Sequence, residues 1–251
     1  MSILSGVIIF ILILVIVYII SGKAVKPISE NYRRQKEFIS NASHELKTPI
    51  TVITATAELM EKKIGSNRFT SCIKVQSQKM GRLVNEMLTL SKLSNQEKKP
   101  DDFKQFDISK VIENTTLYFE SRAFEEKKEI ISDIQNNIRF IGNPDKIDEL
   151  TGISLDNALK YSDEESKINL YLRLEKGIII LTCQNQCKNF NTDNIPHLFE
   201  RFYRADKSHS KEKEGFGLGL SIAKEIVLLH NGSISVNYKN NVISFTVKFS
   251  I

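Results

Sequence analysis

Three stretches of this sequence carry residue types at spacings that could do chemistry. The first is Ser43-His44-Glu45-Leu46-Lys47-Thr48-Pro49-Ile50. On a helix, His44 and Thr48 lie four positions apart and share a face. An exposed imidazole has a pKa of about 6.5, so near neutral pH it is largely uncharged and nucleophilic. Glu45, directly beside it, can orient the ring or take its proton as nitrogen attacks phosphorus. Pro49 has no N–H, so it should kink the helix and free a backbone carbonyl one turn earlier. Taken alone, a histidine on a helix is ordinarily a surface residue, and this reading depends on the company it keeps.

The second stretch, Asp156-Asn157-Ala158-Leu159-Lys160-Tyr161, ends a helix that begins near Asp145. The third opens with Phe199-Glu200-Arg201-Phe202-Tyr203-Arg204 and continues through a charged run to Glu214. It closes with Gly215-Phe216-Gly217-Leu218-Gly219-Leu220-Ser221, which starts another helix. A glycine-rich turn at a helix N-terminus offers backbone N–H groups and the positive end of the dipole to phosphate oxygens. GxGxG is weak evidence by itself. Joined to an Asn/Lys helix face and a basic-aromatic segment, it describes a nucleotide site in which an amide oxygen can hold Mg2+.

The elements that must position these groups can be read from periodicity. From Pro27 to Ser94 apolar residues recur every three or four positions: Phe38, Ala42, Leu46, Ile50, Ile53, Ala57 and Met60, then Ile73, Met80, Val84, Met87 and Leu90. Gly65-Ser66-Asn67 interrupts the pattern, which predicts two long helices in an antiparallel hairpin. Such a hairpin has a broad apolar face that a second copy would cover, giving a four-helix bundle in a homodimer. The alternative is that the face packs on the C-terminal part of the same chain. Asn95 to Asp102 is polar and contains Pro100, as a linker should. Beyond it the pattern predicts a helix over Phe106–Lys127, strands over Ile130–Ile134 and Ile138–Ile141, and a helix over Asp145–Tyr161. Two hairpins follow, Ile168–Leu174 with Gly177–Thr182 and Ile234–Tyr238 with Val242–Phe249, flanking a helix over Ser221–Leu229. The interleaving predicts an α/β sandwich, a mixed sheet with helices on one face.

At the N-terminus, residues 3–20 are uncharged and interrupted only by Ser5 and Gly6. As a helix this run is about 27 Å long, close to the roughly 30 Å hydrocarbon core of a bilayer, and is expected to be a single-pass transmembrane anchor. A buried soluble helix or a signal peptide are the other readings; no positive charge precedes the run and no convincing cleavage site follows it. Lys23, Lys26, Arg33, Arg34 and Lys36 follow, which places the catalytic domains in the cytoplasm by the positive-inside rule. With Met1 and Ser2 alone before it, no extracytoplasmic sensor domain is expected here, although an upstream segment could be missing. The composition is that of a folded protein, with 26% charged and 41% hydrophobic residues in 251. A formal net charge of +5 without a Lys/Arg cluster does not suggest a nucleic-acid partner. Three cysteines, Cys72, Cys183 and Cys187, are too few and scattered for a disulfide framework.

From about Phe38 to the C-terminus, the sequence resembles the sensor histidine kinases of bacterial two-component systems. SHELKTPI is similar to their phosphoacceptor box, LDNALKYS to the Asn box, LFERFYRAD to the Phe box, and GFGLGLSIAKEIVLLHNGSI to the second glycine box. The resemblance implies a dimeric helical hairpin joined to an ATP-binding domain of the Bergerat type, acting as an ATP-dependent protein-histidine kinase. His44 then resembles the phosphorylated residue and Glu45 the assisting acid. Thr48 resembles the residue that, in bifunctional members, positions water to dephosphorylate the partner. Asn157 is similar to the Mg2+ ligand, and Lys160 and Tyr161 to neighbours of the phosphates and nucleotide. Arg201 and Arg204 fall where basic groups approach the phosphates at the start of a mobile lid; Gly215, Gly217 and Gly219 fall at its hinge and phosphate turn. The implied cofactors are ATP and Mg2+, and the implied partner is a response regulator with an acceptor aspartate. The input is expected through the bacterial cell membrane, another membrane protein or the cytoplasm. The expected domains are an anchor (1–21), a juxtamembrane helical linker (22–36), the phosphotransfer hairpin (37–95), a linker (96–102) and the ATP-binding domain (103–251).

One departure stands out. The family carries Asp-x-Gly-x-Gly after the strand matching Ile178–Thr182, and its Asp accepts a hydrogen from the adenine amino group. Here the text is Cys183-Gln184-Asn185-Gln186-Cys187-Lys188-Asn189-Phe190, with Asn185 in the Asp position. Its oxygen can accept that hydrogen bond without charge assistance. Some Firmicute-like members resemble this Asn-x-Cys variant. The departure also motivates another reading: a pseudokinase-like membrane docking protein of the same fold that binds nucleotide weakly.

Overall fold

The computed structural model describes residues 5–7, 9–14, 43, 45–63, 65, 67–95, 103–205 and 215–251. Residues 5–7 and 9–14 are helical, and among the described residues no helix is long and apolar enough to cross a membrane. The expected anchor over 3–20 and the basic residues after it therefore lie partly or wholly outside the described residues, as do the linker over 96–102, His44 and Glu214. By its contacts the chain divides into two compact units, Met1–Val84 and Asn85–Ile251.

In the first unit, helix α1 spans residues 45–63 and helix α2 spans Arg68–Asn95, running on past the unit boundary. The α1 sequence is rich in β-branched residues that are indifferent helix formers. Its threonines turn their hydroxyls back onto the preceding turn, which satisfies them within the helix: Thr51 donates to Lys47 O, Thr54 to Ile50 O and Thr56 to Val52 O, each within 2.9 Å. The expected break falls as predicted. Gly65 adopts a left-handed φ of +79°, and the Asn67 side chain caps α2 by accepting from the N–H groups of Phe69 and Thr70 at 2.9 and 3.0 Å. The two helices touch where Gly81 of α2 lets Ile50 of α1 approach, and Ile50, Ala57 and Val84 are buried.

The second unit holds a five-stranded sheet in the order β2-β4-β5-β7-β6. Its strands are β2 (Glu129–Ile134), β4 (Lys167–Glu175), β5 (Ile178–Gln186), β6 (Ser233–Lys239) and β7 (Val242–Ser250). β2 and β4 are parallel and the other pairs antiparallel, so the sheet is mixed. Helices α3 (Ile108–Glu125), α4 (Pro144–Tyr161) and α5 (Gly219–Leu229) pack on it. Alternate strand residues Ile168, Leu170, Leu172, Ile179, Leu181, Phe245, Val247 and Phe249 meet Ile112, Ile147, Leu150, Leu155, Leu159, Ile222 and Ile226, all buried. Both hairpin turns, Lys176-Gly177 and Asn240-Asn241, hold two consecutive positive φ angles, the twist that tight two-residue hairpins require.

Two details differ from the expectation. Phe106 and Asp107 do not start the helix but end a short strand, β1 (Lys104–Asp107), antiparallel to β3 (Arg139–Gly142). Phe106 pairs with Phe140, their rings edge to face at 6.0 Å, and Asp107 caps α3 by accepting from Ser109 N–H. The partner strand lies some thirty residues away, so local periodicity could not reveal it. Likewise β5 does not stop near Thr182 but runs to Gln186, because Gln184 and Asn185 continue the pairing with Asn169 and Ile168 on one side and Ser244 and Ile243 on the other.

Candidate nucleotide site

Helix α4 starts with a strong stop on its backbone freedom. Asn143 caps it, accepting from Lys146 N–H at 3.1 Å, and Pro144 occupies the first turn. Four turns later it presents Asn157. The Asn157 Nδ2 donates to Ile153 O at 3.0 Å, which fixes the amide, and among the described residues nothing donates to its Oδ1. A methyl group at Gly219 would lie 3.5 Å from Ile153 Cγ2 and 3.8 Å from Asn157 Nδ2, so this face of α4 meets the first turn of α5. That turn has no side-chain cap: Leu218 precedes it, and Ser221 Oγ donates to Leu218 O instead of accepting from the helix start. An uncapped helix start beside an open amide oxygen has the donor set for phosphate and the hard oxygen for a divalent cation.

The segment before and the segment after residues 206–214 close on each other. Phe202 N–H donates to Gly217 O at 3.0 Å, and Gly217 has φ +74°. A Cβ there would lie 2.5 Å from Tyr203 O and 2.8 Å from Phe202 C, so glycine is required twice over, by conformation and by space. Arg201 forms an ion pair with Glu225 of α5 at 3.5 Å, and Tyr203 donates to Asn194 Oδ1 at 2.6 Å. Arg204 is half-buried and Gly215 is exposed. Lys160 is held by Asp156 at 2.6 Å, and Asp156 in turn by Arg122 of α3 at 2.7 Å, so the lysine ammonium rests on the α3 side of α4. Tyr161 is the last residue of α4 and about a third exposed.

Asn185 is 2% exposed and lies on the same sheet face as Cys183, whose thiol approaches Ser154 O of α4 at 3.7 Å. Burial pushes the Cys183 thiol up to about 12, so it is a packing group and not a nucleophile. The chain around Asn185 is braced from two sides. Asp163, just past α4, donates its N–H to Gln186 O at 2.9 Å and accepts from Lys188 N–H at 3.2 Å. From the β6–β7 hairpin, Asn241 O of the turn accepts from Cys187 N–H at 2.8 Å and the hydroxyl of Tyr238 on β6 donates to Cys187 O at 2.9 Å. Sequence reasoning missed Asp163 and Tyr238; nothing local marks them, since each acts on a segment far along the chain.

At the opposite end of the α4–α5 pair sits another residue without an assigned part, His230. Its Nδ1–H donates to Ile226 O at 2.8 Å and its Nε2 accepts from Asn143 N–H at 3.0 Å, which ties the end of α5 to the start of α4. Phe103 stacks on the ring at 4.9 Å. Of the phosphoacceptor group, Glu45 and Thr48 are exposed on α1, while His44 lies outside the described residues.

Comparison with known proteins agrees with this geometry. Residues 142–251 match the family of histidine kinase-, DNA gyrase B- and HSP90-like ATPases, and residues 34–96 match the His Kinase A phospho-acceptor domain. The chain is 34% identical over 227 residues to the sensor protein DltS of Streptococcus agalactiae, covering 90% of this chain and 57% of DltS. It spans between 34% and 57% of the length of the curated relatives it matches. Among solved structures, full-length ShkA in complex with AMPPNP superposes with a TM-score of 0.71 at 19% identity, over 85% of this chain and 45% of ShkA. The Acinetobacter baumannii histidine kinase AdeS superposes with a TM-score of 0.61 at 23% identity, over 82% of this chain and 97% of AdeS. With a phosphoacceptor hairpin followed by an ATPase domain of this fold, the chain belongs to the two-component sensor histidine kinases.

Proposed function

We propose that the chain is a membrane-anchored, homodimeric kinase that uses ATP to phosphorylate His44 and passes the phosphoryl group to an aspartate of a response regulator. The observation that carries the reading is the open Asn157 oxygen beside the uncapped start of α5. ATP supplies the γ-phosphoryl group and Mg2+ neutralises charge on the phosphates. Asn157 Oδ1 is the group suited to the cation, and the N–H groups at Gly219 and its successors suit the phosphates. Gly217 fixes the turn, Gly215 gives it freedom, and Arg201 and Arg204 stand on the segment packed against it. Lys160 reaches the phosphates by leaving Asp156, and Tyr161 flanks the nucleotide. At the acceptor, a ring nitrogen of His44 forms the N–P bond as the β–γ bridging bond breaks, and Glu45 takes the ring proton. Thr48, one turn on, is placed to orient water for dephosphorylating the partner. The apolar run over residues 3–20 anchors the chain in the bacterial membrane with the catalytic parts in the cytoplasm, and the domain limits follow the sequence expectation. The signal enters through the membrane or through another membrane protein.

Incubating the chain with γ-labelled ATP and Mg2+ tests this, with His44→Gln alongside. Acid-labile, base-stable label on the wild type and none on the variant is expected. A folded, dimeric protein that takes no label at millimolar ATP would favour the docking protein that the Asn185 substitution suggests.

A further inference from the structure

The residue that replaces the family's base-reading acid is both buried and chemically ambidextrous, and that combination bears on which nucleotide the site accepts. Asn185 Nδ2 makes a single contact, to Gln186 O at 3.4 Å, which is at the edge of hydrogen-bonding range. Nothing among the described residues donates to its Oδ1. Among the described residues the one sealed side-chain polar atom without a partner is Ser43 Oγ, so the unpartnered Asn185 oxygen keeps an opening to solvent. The backbone beneath is fixed: Asn185 pairs with Ile168 and Ile243, and the residues after it are held by Asp163, Asn241 and Tyr238. What remains soft is the orientation of the side-chain amide.

A carboxylate in this place can only accept. It suits the amino group of adenine and repels O6 of guanine. A carboxamide carries an acceptor and two donors, and half a turn about its last bond exchanges them. With Oδ1 forward it accepts from the adenine amino group while Nδ2 donates to N1. With Nδ2 forward it donates to guanine O6 while Oδ1 accepts from guanine N1–H. The opposite orientation gives up one long contact and turns Oδ1 toward the Gln186 carbonyl, a modest cost because that contact is at 3.4 Å. We infer that this site takes guanine as well as adenine nucleoside triphosphates, with Asn185 as the residue that loosens the choice. The inference rests on the proposed nucleotide site and on Asn185 meeting the base.

Displacement of trinitrophenyl-ATP from the full chain by ATP and by GTP, with Mg2+, tests it, and transfer from γ-labelled GTP to the protein follows the same samples. GTP should compete within about tenfold of ATP on the wild type. Asn185→Asp should widen the preference for ATP by roughly tenfold or more, since it restores a charge-assisted bond to adenine and sets a charge against O6. If ATP displaces the probe and GTP is weaker by about a hundredfold or more on the wild type, a discrimination that a hydrogen-bonding site readily achieves, the inference falls and the nucleotide site stands. An unchanged ratio in Asn185→Asp also overturns it, because the base is then read elsewhere. If neither nucleotide displaces the probe, the proposed site itself is wrong. The wild-type ratio needs no variant to fold.

Discussion

The helical hairpin and the α/β unit handle apolar surface in opposite ways. In the hairpin, Ile50, Ala57 and Val84 are covered, yet Leu46, Ile53 and Met60 on α1 each stay 45% exposed and Met80 on α2 stays 48% exposed. In the α/β unit, Ile147, Leu150, Leu155, Leu159, Ile168, Leu170 and Leu172 are all sealed from solvent. The two helices share one line of contact and leave apolar residues of α1 and of the first half of α2 facing outward, whereas Leu88, Leu90 and Leu93 toward the end of α2 are buried. A sheet covered by three helices closes its core within one chain. The first arrangement leaves apolar surface that the proposed second copy would cover; the second arrangement does not.

If that contrast is right, core damage should act on one region and surface charge on the other. Leu150→Ala removes side-chain volume from a sealed core and should destabilise residues 103–251 by about 3–4 kcal/mol. Urea unfolding of that segment, which is expected to fold alone, would measure it; a loss below about 1 kcal/mol would mean the core is not closed as described. Ile53→Asp leaves the α/β unit untouched but sets a charge on the exposed stripe. It should weaken the dimer by about 3 kcal/mol or more, read as a shift to monomer in sedimentation. A dimer of unchanged strength would put the interface on another face.

The smallest effect concerns the clamp between α4 and α5. Burial holds the His230 imidazole below its ordinary value of 6.5, and the hydrogen bond to Ile226 O draws it partly back. The unfolded chain therefore takes up this proton first as pH falls. The stability that neutral His230 provides is fully present above about pH 6.5 and erodes as pH drops below it. The melting temperature of residues 103–251 should fall with acidification in that range, and His230→Gln should flatten the slope. An identical slope in the variant would assign the effect to other groups.

Over the described residues the hairpin was legible, because its helices obey one local period and its turn announces itself as Gly65-Ser66-Asn67. So were α4, expected from Asp145 and found from Pro144 behind the Asn143 cap, and both tight β-turns. β1 was not, since four residues starting at Lys104 become a strand only by meeting Arg139–Gly142. The reach of β5 through Asn185 was hidden for a related reason: polar residues in a strand look like loop until their neighbours on both sides are known.

What the sequence determined is the set of chemical groups and their order: an imidazole beside an acid, then Asn157, then glycines at a helix start. These follow from residue type and short spacing, which local physics reads directly. The tertiary structure decided how the groups meet. It set Asn157 against Gly219, Phe202 against Gly217, and Asn143 against His230, the last across 87 positions. It also turned Asn185 from a loop residue into a buried strand residue paired with Ile168 and Ile243, while Asp163 and Tyr238 hold the residues just after it. Contacts of that range arise when apolar faces pack and backbone donors find distant acceptors, and no window of sequence contains both partners.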